Sequence, residues 1–189
     1  MPKVGMEPIR RAALVEATIA AIGEAGSLDV TVSQIAKRAG MSSALAHHYF
    51  GGKDQIFLAA MRQILRDYSA EVRKELAKTT RHDQRAEAII RANFAESCFD
   101  PAAVSAWMTF YGQAQTSPEA LRLLTLYQKR LRSNLTHALR GRTTAPKEAA
   151  DLLAALIDGL YIRVGLTAPD EDAEATALAL LRQLTGGTA

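Results

Sequence analysis

Between Thr31 and Lys53 the chain reads TVSQIAKRAGMSSALAHHYFGGK, and its polar side chains are of the kind that meet nucleic acid. Thr31, Ser42, Ser43 and Tyr49 offer hydroxyls, His47 and His48 offer imidazoles, and Lys53 offers a cation, groups that serve base edges and phosphate oxygens. No Asp or Glu occurs from Val30 to Lys53, while Lys37 and Arg38 add positive charge, so a duplex would meet no repelling carboxylate there. Over residues 1–54, six Lys/Arg face five Asp/Glu, so any basic surface is a local patch. A charge run alone is usually just a solvated face. Spacing carries the reading further.

These residues need two short helices around a tight turn. Thr31 with Gln34 three positions on is a capping-box signal, and Val32, Ile35, Ala36 and Ala39 share a helical face. Gly40 ends that helix, and Ser42 can cap the next, Ser43 to Tyr49. Leu45 and Tyr49 lie together at i,i+4, which leaves Ser43, Ala44, His47 and His48 to point elsewhere. Two helices so joined make a helix-turn-helix DNA reader, whose second helix enters the major groove. Base contacts then fall to Ser43, Ala44 and His48. Phosphate contacts fall to Thr31, His47, Tyr49, Lys53 and the helix starts, with Lys3 and Arg10 as an N-terminal arm.

The remainder reads as helix throughout. The chain has 189 residues, 48% hydrophobic, enough for a sizeable core, and no β-branched run alternates long enough to make a strand. A first helix is expected over Ile9–Ala25, with Ala13, Ala17, Ile19, Ala20 and Gly23 small enough for the reader helices to pack close. A fourth is expected from Lys53 to about Thr80, starting in the head and ending in the body. Others are expected at Asp83–Ser97, Pro101–Gly112 after an Asp100 cap, Pro118–Arg140, Pro146–Leu166 and Glu171–Leu184, about nine in all. In Pro118–Arg140 a stripe of Leu121, Leu124, Gln128, Leu131 and Leu135 faces a core. The last two helices are apolar on more than one face, which implies a bundle with a second subunit. The expected division is residues 1–52 for DNA binding and 53–189 for ligand binding and dimerisation.

Composition excludes other classes. The single cysteine, Cys98, rules out an internal disulfide framework and fits a reducing cytoplasm. AALVEATIAAI is broken by Glu16 and lacks a small-residue cleavage pattern, so it reads as an amphipathic helix and not a leader. The segment Leu152–Leu166 contains Asp158 and Arg163 and is too short to span a bilayer. His82 and His137 are isolated and His47–His48 lacks zinc-ligand spacing, so no metal is expected. No phosphate loop, nucleophile elbow or cysteine–histidine pattern suggests an enzyme or a cofactor. A third class, a ligand-independent architectural protein, would bind DNA with little sequence preference.

The head pattern IA..AG.S followed by YF..K stands here as Ile35, Ala36, Ala39, Gly40, Ser42, Tyr49, Phe50 and Lys53, and it resembles the TetR family of bacterial repressors. Further pieces in register are MPKVGMEPIRR, HYFGGK, Asn93–Phe94, Ala106 to Phe110, KRLRSNL and ALIDGLYIR. These are similar to the choline-responsive, BetI-type group of that family. Ala44 stands where the family usually has Gly, and His47 where it often has Tyr. The resemblance implies an all-α repressor that binds a palindromic double-stranded operator as a homodimer through its last two helices. It further implies release by choline or a related quaternary amine and control of choline-to-glycine-betaine genes. A TetR-like repressor of another pathway, such as efflux, shares every head feature.

By the same resemblance Trp107, Phe110 and Tyr111, at i+3 and i+4, form one wall of an effector site. A quaternary ammonium cannot donate a hydrogen bond, so ring faces and a nearby carboxylate hold it best. Tyr161 and Asp158 can offer those groups, and Asn93 and Phe94 can line the opposite side. Two plainer readings stay open: aromatic residues at helical spacing are often core, and Asp158 and Tyr161 could face a dimer partner.

Overall fold

One threonine and one serine settle where the head turns. In the computed structural model, which describes residues 5–27, 29–168 and 171–186, Thr31 Oγ1 accepts from Gln34 N at 3.2 Å and Gln34 Oε1 accepts from Thr31 N at 2.7 Å. That reciprocal box opens α2 (Val32–Arg38). Gly40 then takes φ 67°, and Met41 N reaches back to Ala36 O while Gly40 N reaches Lys37 O, a Schellman stop that a side chain would strain. Ser42 Oγ accepts from Leu45 N and opens α3 (Ser43–Phe50). Preceding them is α1 (Met6–Ala25), and α4 (Lys53–Ala77) follows.

Five more helices complete the described chain: α5 (Arg85–Asn93), α6 (Pro101–Gln113), α7 (Pro118–Leu139), α8 (Pro146–Leu166) and α9 (Ala173–Leu184). Short 3-10 turns lie at His82–Gln84 and Glu96–Phe99. The expected helix over Asp83–Ser97 is thus a 3-10 turn, a nine-residue helix and a second 3-10 turn. It ends because Asn93 Nδ2 donates to Ile89 O, and because Pro101 holds Asp100 extended at ψ 129°. The Asp100 cap is observed, its Oδ1 accepting from Ala102 N and Ala103 N. In α4, Thr79 Oγ1 donates to Leu76 O and the helix closes at Ala77, short of Thr80.

The described chain forms two compact units. The first runs to Leu65 and takes in Asp100–Arg122; the second holds Arg66–Phe99 and the chain from Leu123 on. Leu14, Ile22, Ile35, Ile56, Phe57 and Phe110 are among the fully buried side chains of the first. Ile89, Ile90, Leu131, Leu135, Leu153, Ile157, Leu160 and Leu181 build the core of the second. Of the expected stripe on α7, Leu124, Leu131 and Leu135 are buried, but Leu121 is 52% exposed. Gly23 does not serve the reader helices: a Cβ there would lie 2.3 Å from that of Ala102, so its small size lets α1 pack against α6. No helix among the described residues is long and apolar enough to cross a membrane.

Candidate functional site

The head presents its polar residues as the spacing required. Thr31, Ser42, Ala44, His47 and His48 are exposed, Ser43, Tyr49 and Lys53 are half-buried, and Ala46 is the one fully buried residue of α3. Lys3 lies outside the described residues. His47 Nδ1 sits 3.1 Å from Gly51 O, so Nδ1 carries a proton and Nε2 is left toward solvent. The rings of His48 and Tyr49 lie 5.4 Å apart.

Sequence reasoning missed the residue that holds this helix in place. Arg11, on α1, donates from Nη1 to Tyr49 O at 2.5 Å and lays its guanidinium 4.4 Å from the Phe50 ring centroid. A cation on the C-terminal carbonyls of α3 complements the helix dipole and adds a cation–π contact. Arg38 ties α2 to α1 through both oxygens of Glu24, at 2.6 and 2.5 Å, and that hydrogen bond holds the Glu24 carboxyl below its usual range. The three head helices are therefore fixed by side chains as well as by core.

The candidate effector residues fall in both units. In the first, Trp107, Phe110 and Tyr111 are neighbours on α6. Trp107 meets Phe110 edge-on at 5.7 Å and Tyr111 at 6.0 Å, and Phe110 meets Phe57 of α4 at 6.3 Å. In the second, Asn93, Phe94, Asp158 and Tyr161 come together with residues that spacing did not reveal. Tyr127 Oη donates to Asp158 Oδ1 at 3.2 Å, and the rings of Tyr127 and Tyr68 meet edge-on at 5.6 Å. Burial raises the Tyr68 hydroxyl well above the ordinary tyrosine range, with a hydrogen bond to Asn93 opposing it. Burial also raises the Asp158 carboxyl, partly offset by the Tyr127 hydrogen bond. Beside them, Phe94 stacks on Phe99 at 6.3 Å, Phe99 meets Tyr161 at 5.1 Å, and Tyr161 Oη donates to Cys98 O at 2.9 Å. Tyr68 and Tyr127 lie half-buried on long helices with no motif to mark them, and only the fold shows their neighbours.

A capped two-helix reader in one unit and a partly desolvated carboxylate among rings in the other are the parts expected of a DNA-binding regulator. Comparison with known proteins gives the family. Residues 14–60 match the model for bacterial regulatory proteins of the tetR family, and residues 82–187 match that for the BetI-type transcriptional repressor C-terminal region. The HTH-type transcriptional regulator BetI of Brucella anthropi is 49% identical over 183 residues, covering 96% of this chain and 94% of its own. That of Agrobacterium fabrum is 48% identical, over 94% of this chain and 88% of its own. A TetR transcription regulator from Haloarcula marismortui superposes with TM-score 0.83 at 20% identity, covering 96% of this chain and 98% of that one. A transcriptional regulator from Saccharomonospora viridis, solved in complex with choline, superposes with TM-score 0.74 at 21% identity over 90% and 93%. The chain belongs to the BetI-type transcriptional repressors of the TetR family. It is a DNA-binding regulator and not an enzyme.

Proposed function

We propose that this repressor occupies a palindromic operator as a homodimer and is released by choline or a related quaternary amine, controlling the conversion of choline to glycine betaine in the cytoplasm. In this reading residues 1–52 read DNA and residues 53–189 carry effector and dimer contacts. Each α3 lies in a major groove, with half-sites about one helical turn apart or somewhat further. Ser43, Ala44 and His48 meet base edges; Thr31, Tyr49, Lys53 and the start of α3 at Ser42 meet phosphates. A phosphate contact from His47 Nε2 requires the doubly protonated ring, because Nδ1 is already donating.

The observation that carries the effector reading is the Asp158 carboxyl, raised by burial and hydrogen-bonded by Tyr127, whose ring meets that of Tyr68, itself bonded to Asn93. A cation that cannot hydrogen-bond gains from ring faces and from a carboxylate that water solvates poorly. Support also comes from the choline complex of the Saccharomonospora viridis regulator. Tyr68 lies on α4, the helix that begins directly after the reader helix, so a change at its ring has a continuous backbone path to Lys53. A 100-fold loss of operator affinity needs a coupling of about 2.7 kcal/mol, within the range of one well-formed cation cage.

The test is calorimetric titration of the full chain with choline, with glycine betaine and ethanolamine as controls, followed by operator release on the same samples. Saturable binding of choline with loss of operator affinity is the expected result. Binding of none of the three, with the operator still bound, would keep the DNA reader and reject the quaternary amine. Trp107, Phe110 and Tyr111 form an aromatic wall in the first unit, and Trp107→Phe tests their part separately. A role in sensing predicts that it keeps operator binding and loses effector response.

A further inference from the structure

A concave site lies in the second unit, lined by none of the aromatic-cluster residues. Its volume is about 630 Å³, within the range of small-molecule pockets, and its walls come from the end of α4, the start of α5, one face of α7 and the start of α8. Five cations line it: Arg85, Lys129, Arg132, Arg140 and Lys147, against one carboxylate, Asp151. Asp151 is already engaged by Arg132, through Nε and through Nη2 at 2.8 Å.

The other four cations have no acid partner within ion-pair distance among the described residues. Elsewhere on the described chain Arg11, Arg38, Lys74, Lys78, Arg81, Arg91, Arg142 and Arg163 each pair with a Glu or Asp while others such as Arg73 and Arg182 do not, and what sets the groove apart is that its four unpaired cations line one cavity. The chain as a whole carries only +3, so like charge is concentrated in this groove. A cleft lined by one sign of charge focuses its field and draws counter-ions of several charges. Lys129, Ser133, Thr136 and Arg140 recur at i, i+4, i+7 and i+11, so ammonium, hydroxyl and guanidinium groups face the groove together. Guanidinium forks and ammonium groups together suit phosphate oxygens, and hydroxyls add donors. Leu76 and Ile89 supply an apolar floor that a mononucleotide-sized body can cover.

We propose that this groove is a second small-molecule site, taking a metabolite that carries two or more phosphate groups. It is separate from the quaternary-amine reading and does not depend on it.

The test is calorimetry of the full chain with inorganic triphosphate, in phosphate-free buffer at about 150 mM chloride so that loose surface attraction is screened. One saturable site per protomer is expected, weakened about tenfold or more in Arg140→Gln/Lys147→Gln. The control Arg73→Gln/Arg182→Gln removes the same charge elsewhere and is expected to bind as the parent does. Circular dichroism melts of both variants confirm folding. No saturable heat, or an equal loss in both variants, would overturn the site. Citrate distinguishes phosphate from general polycarboxylate recognition: binding weaker than that of triphosphate is expected, and equal binding overturns the phosphate assignment. Loss of operator affinity in the groove variant, absent from the control, would assign the groove to the DNA backbone and overturn the proposal.

Discussion

In the proposed effector site, Asp158 is the side chain on which effector charge and protein stability meet. Burial raises its carboxyl above the ordinary aspartate range, so the neutral form is favoured in the folded protein relative to the unfolded chain. The stability this contributes is complete below the unfolded pKa and is lost as pH rises through the higher folded value. A bound cation reverses the preference, since it needs the carboxylate and drives the proton off. Choline affinity is therefore expected to fall as pH drops through the folded pKa, with proton release on binding measurable by calorimetry in buffers of different ionisation enthalpy. Asp158→Asn is expected to keep or raise the melting temperature at pH 7 and to weaken choline about tenfold or more, the scale of a charge-assisted contact. In the head, Arg11→Met removes the hydrogen bond to Tyr49 O and the guanidinium over Phe50. Operator affinity should fall by about 1–2 kcal/mol with the salt slope unchanged, whereas Lys53→Ala should reduce that slope by about 1. The reader's caps were legible because Thr31 bonds Gln34 and Ser42 bonds Leu45, partners within one turn. Arg11 and Tyr49 lie 38 residues apart and Tyr127 and Asp158 lie 31 apart, and no local pattern in the chain announces such pairs.

Among elements, α1 and α6 approach closely in the first unit at Gly23 and Ala102. A methyl group at Gly23 would fall 2.3 Å from Ala102 Cβ and 2.5 Å from its Cα, so α6 must shift to admit it. Gly23→Ala is expected to cost about 1–3 kcal/mol, as overpacking does, with melting lowered by roughly 2–4 °C per kcal/mol, although alanine favours helix by itself. Differential scanning calorimetry reads the sign directly: a gain would mean that α1 and α6 part easily. Most helix positions followed from periodicity and punctuation, since prolines open α6, α7 and α8 and Gly40 closes α2. Residues 83–97 defeated that logic. Their composition is helical, but the chain must bend after Asn93 so that Phe99 can stack on Phe94 and meet Tyr161. Tertiary packing overrode propensity at the segment that lines the candidate effector site.

At the scale of the whole molecule, α4 and α7 both continue from the unit of the reader into the unit holding Asp158, and α4 is the one that begins directly after the reader helix, its 25 helical residues extending roughly 37 Å. In the proposed reading a single protomer meets one half-site, so a palindrome requires a second copy, and an exposed face of α8 is where we expect it to dock. Leu152, Ala155, Gly159, Ile162 and Leu166 recur at i, i+3, i+7, i+10 and i+14, and all are exposed in the isolated chain, Leu152 at 55% and Leu166 at 60%. Space is open where a Gly159 side chain would stand, which permits close approach of a partner helix. An exposed apolar row on a helix gains by meeting its own symmetry mate, which favours this face of α8 for the proposed dimer contact. Leu152→Glu/Leu166→Glu places like charges across that two-fold contact while leaving the buried side of α8, Leu153, Ile157 and Leu160, intact. Sedimentation velocity at micromolar concentration should then show monomers where the parent shows dimers. Operator affinity should fall by several orders of magnitude as two linked half-site contacts become independent, and choline should still bind each monomer. A variant that stays dimeric would move the interface off this face of α8, and one that loses choline as well would mean that the effector site needs both subunits.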